Sequence, residues 1–96
     1  MTAGETRRVV VRGRVQGVGY REFCVAEAHR LGVRGWVRNR RDGTVEAMLQ
    51  GDPARLHAMC ERLREGPPVA RVDALDVTAA PEEGRTFDRF ERLPTA

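Results

Sequence analysis

Two short runs, each of them a predicted strand, flank an Asp-Gly pair near the middle of the chain, and this arrangement constrains the fold more than any other feature. The first run covers residues 34–39 (RGWVRN) and the second covers residues 44–50 (TVEAMLQ). Three apolar residues of the second run face one way, namely Val45, Ala47 and Leu49. Because Asp42-Gly43 between such runs is typical of a tight turn, the centre of the chain is predicted to be a β-hairpin.

A helix is predicted on each side of this hairpin. Residues 20–32 end at Gly32, a frequent helix stop, and place apolar side chains at helical spacing: Tyr20, Phe23, Cys24, Ala28 and Leu31. The second helix has Asp52 as its N-cap and Pro53 at its first position, and it ends at Gly66. Its apolar stripe consists of Leu56, Met59, Cys60 and Leu63.

Further strands are predicted at residues 7–14 and 69–79, with a short final strand at 86–92. The order is therefore β-α-β-β-α-β with an extra terminal strand. Two β-α-β halves joined by a hairpin predict an α+β, ferredoxin-like fold, in which an antiparallel sheet carries both helices on one face. The first and third strands are then central, and the second pairs with the third. The length fits one domain over residues 1–96, with an ordered core of about 7–92.

The charge pattern argues against a nucleic-acid partner. The 17 basic residues are all arginines, and they are interleaved with 14 acidic residues along the whole chain, which gives a net charge of only +3. This distribution is typical of a solvated surface of mixed charge. No apolar run approaches the ~18 residues that a membrane span requires, and the N-terminus lacks a hydrophobic leader. We therefore expect a cytoplasmic protein without a membrane partner, and a monomer as the default.

The cysteines and histidines do not form a metal-binding pattern. Cys24 and Cys60 both fall within the apolar stripes of the predicted helices, so we expect buried core thiols rather than a disulfide or a metal site. His29 and His57 are predicted to lie on the outer faces of the same helices. No metal ligand is predicted.

The segment GRVQGVGYRE, residues 13–22, joins the first strand to the first helix. It offers no Ser, Thr, Asp or Asn as a helix cap, and it places Arg21 near the helix start, where a cation is unfavourable. A bound anion would accept hydrogen bonds from the free N–H groups and pair with the guanidinium. Gly17 and Gly19 let the backbone turn sharply and approach a ligand. Spacing alone leaves two interpretations open: a phosphate-binding loop, or an ordinary turn with a surface arginine.

Asn39 ends the second predicted strand, just before the Asp-Gly turn. A side-chain amide at this position could hold a water molecule, since it both donates and accepts hydrogen bonds. An asparagine at a strand end is also common turn chemistry. The spacing of the residues does not by itself place Asn39 near Arg21.

Two segments together resemble the signatures of the acylphosphatase family. GRVQGVGYR is similar to the first signature of that family and GWVRNRRDG is similar to the second, and the resemblance extends over almost the whole chain. The resemblance implies the ferredoxin-like fold. It also implies hydrolysis of an acyl phosphate, a small mixed carboxylic–phosphoric anhydride, to a carboxylate and inorganic phosphate. No metal or organic cofactor is implied.

The resemblance also implies roles for individual residues. The backbone N–H groups that would bind the phosphoryl group belong to Gln16, Gly17, Val18, Gly19, Tyr20 and Arg21. The guanidinium of Arg21 would grip the phosphoryl oxygens, and Asn39 would position the attacking water molecule. Gly19 lies where many relatives carry a bulkier residue, which predicts a loop that is less rigid before substrate binds.

Alternative functions on the same fold are a non-catalytic anion-binding module, an RNA-binding module, and an acylphosphatase-like domain of a larger maturation enzyme. An RNA-binding module would carry exposed aromatic residues on its sheet, whereas the aromatic content here is 5%. A nucleotide-binding loop is not predicted either, because the Walker A and Rossmann glycine patterns are incomplete.

Overall fold

A computed structural model of the chain describes residues 4–81 and 85–96. Its helices and strands follow one another as β1 (Glu5–Arg14), α1 (Tyr20–Leu31), β2 (Arg34–Asn39), β3 (Val45–Gly51), α2 (Pro53–Glu65), β4 (Arg71–Ala79) and β5 (Phe90–Arg92). This order confirms the predicted β-α-β-β-α-β arrangement with an extra terminal strand. No helix among the described residues is long and apolar enough to cross a membrane.

The strands form one sheet in the order β4-β1-β3-β2-β5. The pairs β1–β3, β1–β4 and β2–β3 are antiparallel, with β1 and β3 in the centre, as predicted. β5 adds a parallel pair with β2, in which Gly35 lies opposite Phe90, so the sheet is mixed. The predicted final strand at 86–92 was too long at its start, because only Phe90–Arg92 pair with β2.

Both helices pack on one face of the sheet, which confirms the ferredoxin-like fold. The strands contribute alternate side chains to this core, and those that are fully buried include Val9, Val11, Val37, Val45, Ala47 and Leu49. Both cysteines are free and buried in the same core, as predicted, and burial raises the pKa of the Cys24 thiol. His29 and His57 are exposed, as predicted. α2 has its predicted N-cap, since an Asp52 carboxylate oxygen accepts a hydrogen bond from the Ala54 N–H at 2.8 Å.

The other face of β3 is also covered, which the sequence did not predict. Glu46, Met48 and Gln50 alternate with the core residues, yet each of them is buried. β4 and β5 lie at opposite edges of the sheet, and two described residues of the chain between them, Ala80 and Phe87, pack against this face. Phe87, from that connection, packs on Met48, and Gln50 holds the connection by accepting a hydrogen bond from the Phe87 N–H at 2.9 Å. Glu46 lies between the guanidinium groups of Arg8 and Arg38.

Candidate active site

The antiparallel pairing brings three strand ends to one end of the sheet. Val11, near the end of β1, lies opposite Val45 at the start of β3, and Asn39 at the end of β2 lies opposite the same valine. α1 begins close to this point, because only five residues separate the end of β1 from Tyr20. The glycine loop, defined here as residues 16–21, and the turn after Asn39 therefore meet at the same end of the molecule.

The backbone of the glycine loop has an unusual alternation of φ angles. Gly17 and Gly19 have φ values of 74° and 79°, whereas Val18 between them does not have a positive φ. Alternation of this kind turns successive N–H groups into a common concavity that suits an anion. A Cβ built on either glycine would meet no atom within 4 Å, so the space above the loop is open.

Gly13, the first glycine of the segment, has a different function. It lies at a β-bulge where the register of β1 against β4 shifts. A Cβ built there would come within 2.1 Å of the Arg71 carbonyl oxygen. Gly13 therefore permits close packing of the two strands and lies outside the candidate site.

The start of α1 has no side-chain cap, as predicted. Gly19 occupies the N-cap position in the left-handed conformation, and no side chain accepts from the first turn. Among the described residues, the amides of 17–22 donate to no acceptor, and the first bond of the helix runs from the Phe23 N–H to the Gly19 carbonyl at 3.0 Å. A run of unpaired donors at a helix N-terminus, with its partial positive charge, is suited to an anion.

Two side chains hold the ends of the loop. The Gln16 Nε2 donates hydrogen bonds to the carbonyl oxygens of Arg40 and Thr44, both at 2.8 Å. The Tyr20 hydroxyl donates to the Leu63 carbonyl of α2 at 2.7 Å, and burial raises the pKa of this phenol above its ordinary value. The loop is thereby tied to the hairpin at its start and to α2 at its end.

Arg21 has no anionic partner among the residues that the structure describes. Its half-exposed side chain reaches only the Leu93 carbonyl oxygen, with Nη1 at 3.5 Å. The neighbouring Glu22 carboxylate is bound by Arg92 instead. The guanidinium beside the loop is thus free to pair with a ligand anion.

Asn39 is held firmly by its backbone while its side-chain oxygen lacks a partner. Its carbonyl accepts a hydrogen bond from the Ala96 N–H at 3.0 Å, on the side of β2 opposite to β3. Its Oδ1 is buried and accepts no hydrogen bond from any described residue. Buried polar atoms without a partner are rare in native proteins, which points to a polar group supplied by substrate or solvent.

The first and last residues of the glycine loop make contacts near Asn39. Gln16 binds the carbonyl of Arg40, the next residue in the chain. Arg21 reaches Leu93, whose N–H donates to the Val37 carbonyl at 2.8 Å. Arg21 and Asn39, which sequence spacing alone did not bring together, therefore lie at the same end of β2. The contributions of the Gln16 side chain and of the Leu93 carbonyl were not predicted, since both depend on contacts between residues far apart in the chain.

A family model, related sequences and solved structures all give the same family for this chain. The family model described as "Acylphosphatase" matches residues 7–92. "Acylphosphatase 1" of Ralstonia nicotianae is 61% identical over 90 residues, which cover 94% of this chain and 88% of that protein. The crystal structure of an acylphosphatase from Bacillus subtilis is similar with a TM-score of 0.82 and 36% identity, over 92% of this chain and 97% of that one. The structure of an acylphosphatase from Coxiella burnetii gives a TM-score of 0.87 at 30% identity, over 97% and 100% of the two chains.

Proposed function

The chain belongs to the acylphosphatase family and is an acylphosphatase, and we propose that the glycine loop, Arg21 and Asn39 carry out its reaction. The observation that carries this assignment is the run of unpaired amides at residues 17–22, directly beside a guanidinium without a described anionic partner. Such a group of donors is complementary to a phosphoryl group.

Substrate binding would use the loop and Arg21 together. The amides of the loop and of the α1 N-terminus donate hydrogen bonds to the phosphoryl oxygens, and the planar guanidinium of Arg21 donates two parallel hydrogen bonds to the same group. Positive charge that faces the three equatorial oxygens stabilises the transition state of phosphoryl transfer. The cost of keeping a cation at a helix N-terminus is therefore offset only when the substrate is bound.

Hydrolysis would require a positioned water molecule and little else. The Asn39 Oδ1, which is buried and unpaired among the described residues, accepts a hydrogen bond from this water and directs its oxygen at phosphorus. The new P–O bond forms as the bond from phosphorus to the acyl oxygen breaks, and the carboxylate leaves with the electron pair. The water proton passes to a phosphoryl oxygen. A carboxylate is a good leaving group, so no general acid is required.

The face of the sheet opposite to the helices supports a small substrate rather than RNA. Trp36 and Phe87 pack with Met48 and Ala80 on that face. The Arg38 guanidinium lies 4.8 Å from the centre of the Trp36 ring. Over the described residues no aromatic side chain is fully exposed there, whereas RNA-binding sheets stack bases on such side chains.

The assignment is tested with benzoyl phosphate in the presence of EDTA. We expect chelator-resistant hydrolysis by the wild-type protein. Arg21→Ala should lose substrate binding and nearly all activity, whereas Asn39→Ala should lose kcat and largely keep its affinity for inorganic phosphate. Arg55→Ala is the matched control, because it removes an arginine that lies beside Gly32 at the opposite end of α1. Absence of turnover in well-folded protein would refute the assignment.

The separate roles of the two residues have their own test. If Asn39→Ala weakened phosphate binding as severely as Arg21→Ala, the division between binding and water positioning would be wrong. The pH–rate profile should show no single essential enzyme group near neutrality, since neither His29 nor His57 lies in the glycine loop or at the end of β2. A profile with one such group would contradict proton transfer to the substrate.

A further inference from the structure

We propose that the side chain of Gln16 is a positioning residue that sets the placement of Asn39 relative to the glycine loop. This inference rests on the proposed function, because it assumes that Asn39 directs the attacking water. The resemblance to the family assigned Gln16 only a backbone N–H group. Its side chain points away from that role and toward the hairpin after β2.

The Gln16 amide binds both carbonyls that close this hairpin. Its Nε2 donates to the carbonyl oxygens of Arg40 and Thr44 at 2.8 Å each, so both of its N–H bonds are used. The Arg40 N–H donates to the Thr44 carbonyl at 2.9 Å, and the Gly43 N–H donates to the Arg40 carbonyl at 3.1 Å. Each carbonyl thus accepts one hydrogen bond from within the hairpin and one from Gln16.

Further hydrogen bonds hold the hairpin behind these carbonyls. A carboxylate oxygen of Asp42 accepts hydrogen bonds from the Thr44 N–H at 3.0 Å and the Thr44 hydroxyl at 2.6 Å. Asn39 precedes the turn directly and is paired with Val45. A displacement of the turn would therefore displace Asn39 with it.

Gln16 supplies the hydrogen bonds that connect the two parts of the site. Among the described residues, no other hydrogen bond joins the glycine loop to residues 39–45. The phosphoryl group would be fixed by the loop and the water by Asn39, so the distance between them depends on this contact. A misplacement of about 1 Å between reacting groups can reduce the rate on the order of 100-fold.

The test is a double-mutant cycle between Gln16→Leu and Asn39→Ala. Gln16→Leu should lower kcat about 10- to 100-fold, while the Kd for inorganic phosphate changes less than about 3-fold. In the Asn39→Ala background, Gln16→Leu should change kcat by less than about 3-fold, because the Asn39 side chain that Gln16 positions is absent. Gln16→Glu keeps the shape and removes both donors at neutral pH. Its kcat relative to wild type should rise in part as the pH falls toward about 4.3, where the neutral acid regains one O–H donor for the two carbonyls.

Gln50→Leu provides the matched control. This buried glutamine donates from Nε2 to the Thr6 hydroxyl and the Arg85 carbonyl, which belong to the covered face of the sheet. Gln50→Leu should lower the melting temperature and leave kcat unchanged.

Four results would overturn the inference. Equal effects of Gln16→Leu with and without Asn39 would show that the two residues act independently. A loss of phosphate affinity as large as the loss of kcat would show that Gln16 serves binding. If Asn39→Ala alone left kcat unchanged, the proposed role of Asn39 would fail, and this inference would fail with it. If Gln16→Leu does not fold, the pH dependence of Gln16→Glu decides, and a flat ratio to wild type refutes the inference.

Discussion

The Tyr20 hydroxyl donates a hydrogen bond to the Leu63 carbonyl at 2.7 Å, across 43 residues of sequence. Leu63 lies in the last turn of α2, where carbonyl groups have no partner within the helix. Tyr20 is the first residue of α1 and is almost completely buried. One side chain therefore completes the end of one helix and anchors the beginning of the other beside the glycine loop.

Tyr20→Phe should lower the free energy of unfolding by about 1–3 kcal/mol, because it leaves the Leu63 carbonyl buried without a donor. Urea denaturation at neutral pH measures this change. An unchanged free energy of unfolding would show that solvent satisfies the carbonyl in the variant.

Arg21→Ala should leave the stability of the ligand-free protein unchanged or raise it slightly, because a cation near a helix N-terminus costs a few tenths to ~1 kcal/mol. Inorganic phosphate at 100 times its Kd should stabilise the wild-type protein by about 2.7 kcal/mol. The variant should lose this stabilisation. Melting curves with and without phosphate test both statements, and a large loss of stability without ligand would show that Arg21 is a structural residue.

Gly19→Ala should destabilise the protein by about 1–2 kcal/mol through its left-handed backbone conformation. No steric clash adds to this cost, since the space around its Cα is open. We expect the loop to keep this conformation when phosphate binds, so the Kd for phosphate should change less than about 3-fold. Denaturation and phosphate titration of the variant provide the measurements. A gain in stability would contradict the assigned conformation.

The stability of the protein should fall at alkaline pH because of Cys24. Burial raises the pKa of this thiol in the folded protein, whereas in the unfolded chain it ionises near ~8.5. Its contribution is fully present below the pKa of the unfolded chain and is lost as the pH rises above it. The expected slope is at most about 1.4 kcal/mol per pH unit for this group. The buried phenol of Tyr20 adds a similar loss above about pH 10.

Cys24→Ala tests this pH dependence. Its free energy of unfolding should decline less steeply than that of the wild type between about pH 8.5 and 10. Parallel declines in the two proteins would show that the Cys24 thiol is not responsible.

Local sequence patterns predicted most of the fold. The Asp42-Gly43 turn identified the hairpin, and the Asp52-Pro53 pair identified the start of α2, because both signals act within a few residues. The parallel pairing of β5 with β2 could not be predicted, since it depends on a connection from β4 at the opposite edge of the sheet and not on neighbouring residues. The burial of Glu46 and Met48 follows from the same connection and was missed for the same reason.

The candidate site was predictable to a similar extent. The missing cap at α1 and the charge of Arg21 are properties of adjacent residues, so they indicated an anion site directly. The contact from Gln16 to Thr44 spans 28 residues and carries no local signal. Only the resemblance to a known family linked Arg21 with Asn39, because residue spacing does not place them together.

The segment after β5 also affects how the sheet meets other chains. Residues 93 and 96 also donate hydrogen bonds to the backbone of β2, so β2 is not a free edge of the sheet. The edge strand on this side is β5, which is only three residues long. At the opposite side, β4 carries the Arg71–Asp73 ion pair and the exposed Asp76. Short and charged edge strands are poor templates for intermolecular strand pairing. The same residues that border Asn39 therefore help to protect the protein against edge-to-edge aggregation.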